Sequence, residues 1–501
     1  MSKYYMGIDQ GTTGTTVLIL DEEWNQIARG YKEHTQIYPS PGWVEHDALE
    51  IWRSILDSVK NAVEKAGIGT ENMDDIACIG LDNQGETVVL WDNVTGVPVY
   101  NAIVWQDKRT AREADAIAEK YGDMIREKTG LIVDAYFSAT KIKWVIDHVE
   151  GVKEKIACGR INAGTLDTWM IWKMTHGKVF VTDQSTASRT MLFNIHTGDW
   201  EDEILNALEI PRCILPEIQD SSKLYGITDP LDFFGARIPI SGSVVDQQAA
   251  LFGQACLEPG MVKTTYGTGC FMLMNTGDKP IYSENGLLTT VGWGLDGGKM
   301  TFALDGGVYI AGAAVQWLRD KLKIITNAAQ TEEMAVSVLD TGGVFFVPAF
   351  SGLAAPHWDQ YARGTMVGIT GGTTQEHIAR ATLESVAYQV KDNLDVMIGD
   401  SGIKIDVMRV DGGMSANDFL MQFQADILGV PVDVPVISET TALGAAYLAA
   451  YGIGEFKSLD EIQHKWKLRK RFEPKMDAEK REKLLTQWHR AVERAKAWEN
   501  K

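Results

Sequence analysis

Short apolar runs separated by Gly- and Thr-rich breaks organise the first part of the chain. Residues 4–9, YYMGID, are followed by the polar turn QGTTG and then by TTVLILD at 15–21. Apolar runs of this length bounded by turn residues read as strands, so the segment predicts a β-hairpin with a hydroxyl-rich tip. Helical spacing predicts a helix over 49–66, and IACIGLDNQGETVVLWD at 76–92 predicts two further strands around a polar centre. Near residue 240 the strand-like RIPISGSVV runs into the helical DQQAALFGQ, and a second hairpin follows, MVKTTYGTGCFMLMNTG at 261–277. Further on, VMRVDGGMSANDFL at 407–420 predicts a strand ending in Asp411-Gly412-Gly413 and a helix starting near Ser415, with the serine as its cap. At 477–498, Leu484, Trp488, Val492 and Ala495 fall on one face among Lys, Arg and Glu, which predicts an amphipathic helix packed on the second half. The mixture is α/β. Because the chain restarts its strand, Thr/Gly turn, strand theme, it predicts two structurally similar domains, 1–252 and 253–501, with no solenoid-type period.

Composition narrows the function classes. Hydrophobic residues at 45% and charged residues at 23% of a 501-residue chain suffice for two cores. The formal net charge of −20 opposes sequence-independent binding to nucleic acid or to an anionic membrane, since both are polyanions. Five scattered cysteines with no CxxC pair indicate neither a zinc site nor a disulfide framework, and fit a reducing compartment. Neither a leader-like apolar core at the start nor a run of about eighteen apolar residues elsewhere is found, so the expectation is a cytoplasmic protein.

Three Gly-rich segments are candidates for phosphate or nucleotide chemistry. Convergent backbone N–H groups in a Gly-rich turn, joined by hydroxyl donors, suit an anion whose charge is spread over several oxygens. The turn at Thr12, Thr13 and Gly14 offers this, and Asp9 just before it could hold the water shell of a magnesium ion. The second turn, Thr265 to Gly269, could grip the same phosphates from the other half, and Gly412-Gly413 would admit a planar ligand close to the backbone. Taken alone, each of the three reads first as an ordinary turn. Neither a P-loop string nor a dinucleotide fingerprint is present. Asp246 stands where a strand gives way to a helix, the usual place for ligand sites in α/β proteins; it reads either as a proton acceptor or as a helix cap. Glu86, Trp105 and Tyr136 stay open between core, surface and site.

Longer strings decide more. YFSATKIKWVIDH at 136–148 and GTMVGITGGTTQEHIARATLE at 364–384 fit two family signatures, and YPSPGWVEHD, YNAIVWQDKRTA, SRTMLFNIHT, DQQAALFGQ, TYGTGCFMLMNTG and VDGGMSANDFLMQFQADILG add to them. On these strings the chain resembles the FGGY carbohydrate kinases of the actin-like ATPase superfamily, most closely their glycerol-phosphorylating branch. The resemblance implies two ribonuclease-H-like domains of the actin/hexokinase-like type with the catalytic cleft between them. It implies transfer of phosphate from ATP, with Mg2+, to a small polyol such as glycerol. Matched by position, Thr12, Thr13 and Gly14 would hold ATP phosphates; Thr268, Gly269, Gly312, Gln316, Gly413 and Asn417 would contact nucleotide; and Asp9 would organise magnesium. Glu86, Tyr136, Asp246 and Gln247 would bind the polyol, Trp105 and Phe271 would wall its pocket, and Asp246 would be the general base. A homo-oligomer, dimer or tetramer, is the expected assembly.

Two positions depart from the family. NQGET places Gly85 where relatives carry a substrate-binding arginine, and GTTGTT places Thr16 where they carry a basic residue. The expectation is that two cations are lost and that roughly an arginine's volume opens beside Glu86. A larger neutral polyol is then an alternative substrate, and a non-catalytic ligand sensor a second alternative. The opposing expectation is that a water or a Lys or Arg from elsewhere fills the gap.

Overall fold

A computed structural model describes residues 3–499. Two large mixed sheets carry the chain, and each contains the same five-strand plan. In the first, β1 (Tyr4–Gln10), β2 (Gly14–Leu20) and β3 (Gln26–Glu33) form an antiparallel meander, to which β4 (Ile76–Asn83) and β5 (Pro239–Val245) add in parallel, giving the order β3-β2-β1-β4-β5. In the second, β6 (Val262–Tyr266), β7 (Cys270–Gly277) and β8 (Lys299–Val308) form the meander, and β9 (Met408–Asp411) and β10 (Val432–Pro435) add in parallel as β8-β7-β6-β9-β10. Outer strands extend both sheets: Ser222–Ile227 beyond β5, Leu288–Leu295 beyond β8 and Leu468–Phe472 beyond β10. The two hairpins legible in the sequence are therefore β1–β2 and β6–β7, in equivalent places of two ribonuclease-H-like sheets. Their similarity is one of strand order.

Local sequence explains most of the elements. The helix Ala48–Lys65 begins one residue earlier than its periodicity suggested, capped by the Asp47 carboxylate, which accepts from the Leu49 N–H at 2.8 Å. The C-terminal helix Ala478–Ala495, capped by Asp477, buries Trp488, Val492 and Ala495 on the second core, with Leu484 packed at its margin. Trp488 also donates its indole N–H to Asp392 at 2.7 Å, which satisfies both buried groups. Among the described residues no helix is long and apolar enough to cross a membrane.

The halves are joined by a close backbone approach. Gly7, Gly80 and Gly242 stand opposite one another on β1, β4 and β5. The helix Thr440–Gly452, from the second half, lies directly on this row. A Cβ at Gly7 would overlap the Ala442 carbonyl, one at Gly80 the Ala445 carbonyl, and one at Gly242 would come within 2.5 Å of the Ala449 nitrogen. The same helix meets the helix Asp246–Gly253 through Gly444 and Gly253, each of which has the other helix's backbone where a side chain would be. Ser241 and Ser222 donate their hydroxyls to the Ala449 and Leu448 carbonyls at 2.8 and 2.7 Å. Replacing Gly80 with Ala forces a methyl into a backbone that cannot yield, and is expected to cost ~3 kcal/mol or more. Gly122, inside the helix Ala111–Thr129 with open space around it, is the control: Gly122→Ala is expected to stabilise by ~0.5–1 kcal/mol. Denaturant titration of both variants checks this.

Candidate active site

The parallel strands β1, β4 and β5 end together, and an acidic residue stands at each end. Asp9 pairs in register with Asp82, and Asp246 follows Val245, which pairs with Asn83. Three carboxylates thus gather at the C-terminal edge of the sheet, where α/β ligand sites form. Burial raises all three above the ordinary carboxylate range: Asp9 to about 7, with Asp246 adding to the effect; Asp82 well above its ordinary value, with Asp9 beside it; and Asp246 against the opposing pull of Gln247 and Lys263. Both oxygens of Asp82 and the whole amide of Asn83 are buried without a hydrogen-bond donor or acceptor among the described residues. Orphaned polar atoms beside a half-buried carboxylate fit a hydrated cation or phosphate group at this edge. Among the described residues no three acidic, histidine or cysteine side chains converge on one metal position, so a magnesium ion here would keep water and phosphate oxygens among its ligands.

The first turn is braced by hydrogen bonds from its neighbours. The Gly11 N–H donates to the Gly14 carbonyl at 3.0 Å, and Gln36, itself held by His46 at 2.8 Å, donates to the Thr12 carbonyl at 2.9 Å. The Trp105 indole N–H donates to the Thr12 hydroxyl at 2.9 Å, tying the phosphate turn to the predicted polyol wall. The Trp105 and Tyr136 rings meet edge to face at 5.5 Å. Tyr136 is fixed from behind by Lys141, a fully buried ammonium that donates to the Ala135, Tyr136 and Phe137 carbonyls at 2.7, 2.6 and 3.0 Å. Burial pulls the Lys141 pKa down to about 7, with the Glu86 carboxylate acting in the opposite direction.

The second sheet presents one face to this edge. Thr265 pairs with Phe271 and Phe271 with Gly307; two residues along, Lys263 pairs with Leu273 and Leu273 with Asp305, so all of these side chains share a face. Lys263 donates to the Gln247 side-chain oxygen at 2.5 Å and to the Thr265 hydroxyl at 3.2 Å, and Gln247 donates its backbone N–H to Asp246 at 2.8 Å. Behind this face, the second turn is bonded to the start of the helix Gly312–Trp317: Ala311 and Ala313 donate to the Thr268 carbonyl at 2.9 and 3.0 Å, and Gly312 donates to the Gly267 carbonyl at 3.0 Å. Gly412, at φ 85°, crosses against the Tyr266 carbonyl within 2.5 Å of where a Cβ would stand. The turn at 267–269 and Gly312 are thereby held together, with Gln316 exposed one helical turn on from Gly312 and Asn417 at the start of the helix Asp418–Leu428.

Three expectations are corrected. The space beside Glu86 is filled: the Arg189 guanidinium, only 4% exposed, donates from Nε to Glu86 at 2.8 Å and from Nη1 to Asp305 at 3.0 Å, and a Cβ at Gly85 would stand 2.5 Å from a Val245 methyl. A side chain at position 85 could enter only if Val245 shifted. Nor is the environment of Thr16 without a cation, because Arg29, on the neighbouring β3, donates to the Thr16 hydroxyl at 3.3 Å and pairs with Glu439 at 2.8 Å. After Gly413 a 3-10 turn runs to Ala416, and the helix is Asp418–Leu428, capped by Asn417, whose side-chain oxygen accepts from Leu420 at 2.9 Å. Ser415 instead donates to the Gly412 carbonyl at 2.7 Å. Arg189, Lys263, Asp305, Asp82 and Lys141 were not singled out by sequence. For Arg189 and Lys141 the only signal was their place in SRTMLFNIHT and YFSATKIKWVIDH.

The description "FGGY family of carbohydrate kinases" fits both parts of this architecture: its N-terminal domain matches residues 4–253 and its C-terminal domain residues 262–453. The chain belongs to that family, and is an ATP-dependent kinase of the actin/hexokinase-like fold. It is 59% identical over 500 residues, 100% of both chains, to glycerol kinase 2 of Thermotoga maritima, and 59% identical over 499 residues, 99% of both, to the glycerol kinase of Caldanaerobacter subterraneus subsp. tengcongensis. Among solved structures it is similar to Plasmodium falciparum glycerol kinase with ADP, at TM-score 0.92 and 38% identity, covering 99% of this chain and 98% of that one.

Crowded carboxylates leave a signature in stability. A carboxylate whose folded pKa lies above its ordinary value stabilises the fold below about pH 4, and that contribution is lost as pH rises through the raised value, about 7 for Asp9. The ligand-free protein is therefore expected to melt at lower temperature as pH rises from 5 to 8, and Asp82→Asn to raise the melting temperature at pH 8 and flatten the slope. Thermal denaturation across that range measures both.

Proposed function

We propose that this chain transfers the γ-phosphoryl group of ATP to a hydroxyl of glycerol, in a site between the strand ends of its two sheets. The observation that carries the reading is the convergence of Asp246 and Glu86 with the Thr12 turn, below the Trp105–Tyr136 wall and facing the second sheet. Glycerol is the substrate by which the relatives at 59% identity are named. The filled space at Gly85 supports a small polyol over a larger one. The family matches at 4–253 and 262–453 support a division into two lobes, 1–252 and 253–501.

Phosphoryl transfer needs alignment and charge neutralisation more than covalent chemistry, and the residues divide accordingly. Glu86, Gln247 and Tyr136 hold the polyol hydroxyls, with Trp105 and Phe271 covering its carbon skeleton. Asp246 takes the proton of the attacking hydroxyl; burial raises its pKa, which makes it a stronger base than an exposed aspartate. Thr12, Thr13 and Gly14 receive phosphates from one side, and Thr268 and Gly269 from the other. Gly312, Gln316, Gly413 and Asn417 line the rest of the nucleotide cradle. Asp9 would hold magnesium through its waters, and the ion supplies charge neutralisation when bound. The shared face of the two sheets excludes water, which limits futile hydrolysis. Leu224, Ile227 and Leu231, exposed on and beyond the outer strand of the first sheet, support assembly with further copies of the chain.

ADP release in a coupled assay tests the reading. Glycerol is expected to be used in preference to erythritol, ribitol and xylulose. Asp246→Asn is expected to lower kcat by about 10²–10⁴-fold with ATP binding retained, and a chelator to stop turnover. Equal use of the five-carbon polyol, or an Asn variant at half the wild-type rate, would remove the assignment.

A further inference from the structure

Arg189 and Lys263 are buried cations with no assigned part in the reaction, and each joins an acceptor-site residue to the opposite half of the molecule. Arg189 caps the C-terminal end of the short helix Gln184–Ser188 in the N-terminal family domain. Its Nε donates to Glu86 of the same domain at 2.8 Å, and its Nη1 to Asp305, on β8 of the C-terminal domain, at 3.0 Å. Lys263, also in the C-terminal domain and fully buried, donates to Gln247 of the N-terminal domain at 2.5 Å. The residues read above as reaching for the polyol are thus held by contacts that exist only when the two sheets face each other at this separation.

We propose that Arg189, through Asp305, and Lys263 are positioning residues that make the polyol site complete only when the two halves of the protein close on one another. The inference rests on the reading of the site as a polyol-kinase site. Arg189 is suited to the task because a guanidinium presents several donors in a fixed fork, so one side chain can address two carboxylates on different domains with defined geometry. Lysine in its place would offer a point charge and could satisfy the pair in many orientations. Its bond to Glu86 keeps that carboxylate an acceptor of hydroxyl protons and fixes the direction of its oxygens. When the halves part, the Asp305 contact that spans them is lost, and Arg189 loses the anchor that orients it against Glu86. Loss of the Lys263 contact in the same motion frees Gln247, the residue that braces Asp246. The acceptor hydroxyl is then held properly only in the closed form, when the phosphate turns of both halves also meet, so that polyol binding reports closure. A buried cation that merely balanced charge inside one domain would have no need of a partner across the interface.

The test uses the full-length enzyme and three variants, Asp305→Asn, Lys263→Met and Arg189→Lys, assayed with glycerol and ATP. Asp305→Asn preserves shape at a partly exposed position and is the variant that folds most safely. It is expected to raise the KM for glycerol about tenfold or more, since a charge-assisted bond is lost, while the KM for ATP stays within twofold. Because the unclosed enzyme leaves the phosphoryl group open to water, the ratio of glycerol-independent ATP hydrolysis to transfer is expected to rise. Arg189→Lys is expected to reproduce both changes, and the double variant Arg189→Lys with Asp305→Asn to be no worse than the more damaged single one, because the two act through one contact. Lys263→Met is expected to raise the hydrolysis ratio as well. A KM for glycerol unchanged within twofold in Asp305→Asn, equal losses for glycerol and ATP, or additive effects in the double variant would overturn the proposal. Wild-type enzyme that releases no ADP in response to glycerol would instead overturn the reading of the site, whatever the variants do.

Discussion

Everything in this molecule depends on how closely one helix can lie on one sheet. The row Gly7, Gly80 and Gly242 removes three side chains from neighbouring strands, and the helix Thr440–Gly452 settles on them through Ala442, Ala445 and Ala449 with backbone against backbone. That contact fixes a helix of the second half on the sheet of the first. Asp411, at the end of β9, records the same closeness: its carboxylate accepts from Gln254 at 2.8 Å and from Thr440 at 2.7 Å. Interiors packed at crystal-like density transmit such a constraint faithfully, because no loose space is left to absorb a displacement. A methyl group in the row would be felt at the strand ends, two or three residues away on the same strands.

At those ends the cost of the arrangement is electrostatic. Asp9, Asp82 and Asp246 are crowded at one edge, and burial pushes each above its ordinary pKa. Such a cluster is unfavourable in the empty protein, and in the proposed reaction a cation and a developing proton transfer would offset that cost. Around it the compensating charges come from elsewhere in the chain: Arg29 from β3, Arg189 from the helix Gln184–Ser188 and Lys263 from the second sheet. Stability lost at the site is recovered in the glycine-lined contact and in the cores behind both sheets, the usual division between a strained site and a rigid frame.

What could be read from sequence follows from the range of the interactions. The two hairpins, the helix before Lys65 and the amphipathic C-terminal helix were legible because turn residues and apolar periodicity act over a few neighbours. Asp9 and Asp246 were legible as candidates because each ends an apolar strand. The helix start after Gly413 was misplaced by three residues, since Ser415 and Asn417 are both good caps and the 3-10 turn Gly413–Ala416, which contains Ser415, has no sequence mark. The glycine row was invisible, because its meaning depends on the register of strands 70 to 230 residues apart in the chain. For the same reason the departures at Gly85 and Thr16 were read as missing charges. The sequence around position 85 contains nothing of Arg189, which arrives about a hundred residues later, and nothing at position 16 announces Arg29 on the adjoining strand. Substitutions in a site can be judged only with the neighbours that the fold brings to it.

The central claim is that the strand-end carboxylates of the first sheet receive a polyol hydroxyl while the turns of both sheets receive phosphate. A crystal structure of the protein with glycerol and a non-hydrolysable ATP analogue tests it most directly. One glycerol oxygen is expected within about 2.6–3.2 Å of an Asp246 carboxylate oxygen, a second oxygen hydrogen-bonded to Glu86, and the γ-phosphate between the Thr12 and Thr268 turns. Glycerol bound away from Asp246, or phosphates held by one turn alone with the other left free, would contradict it.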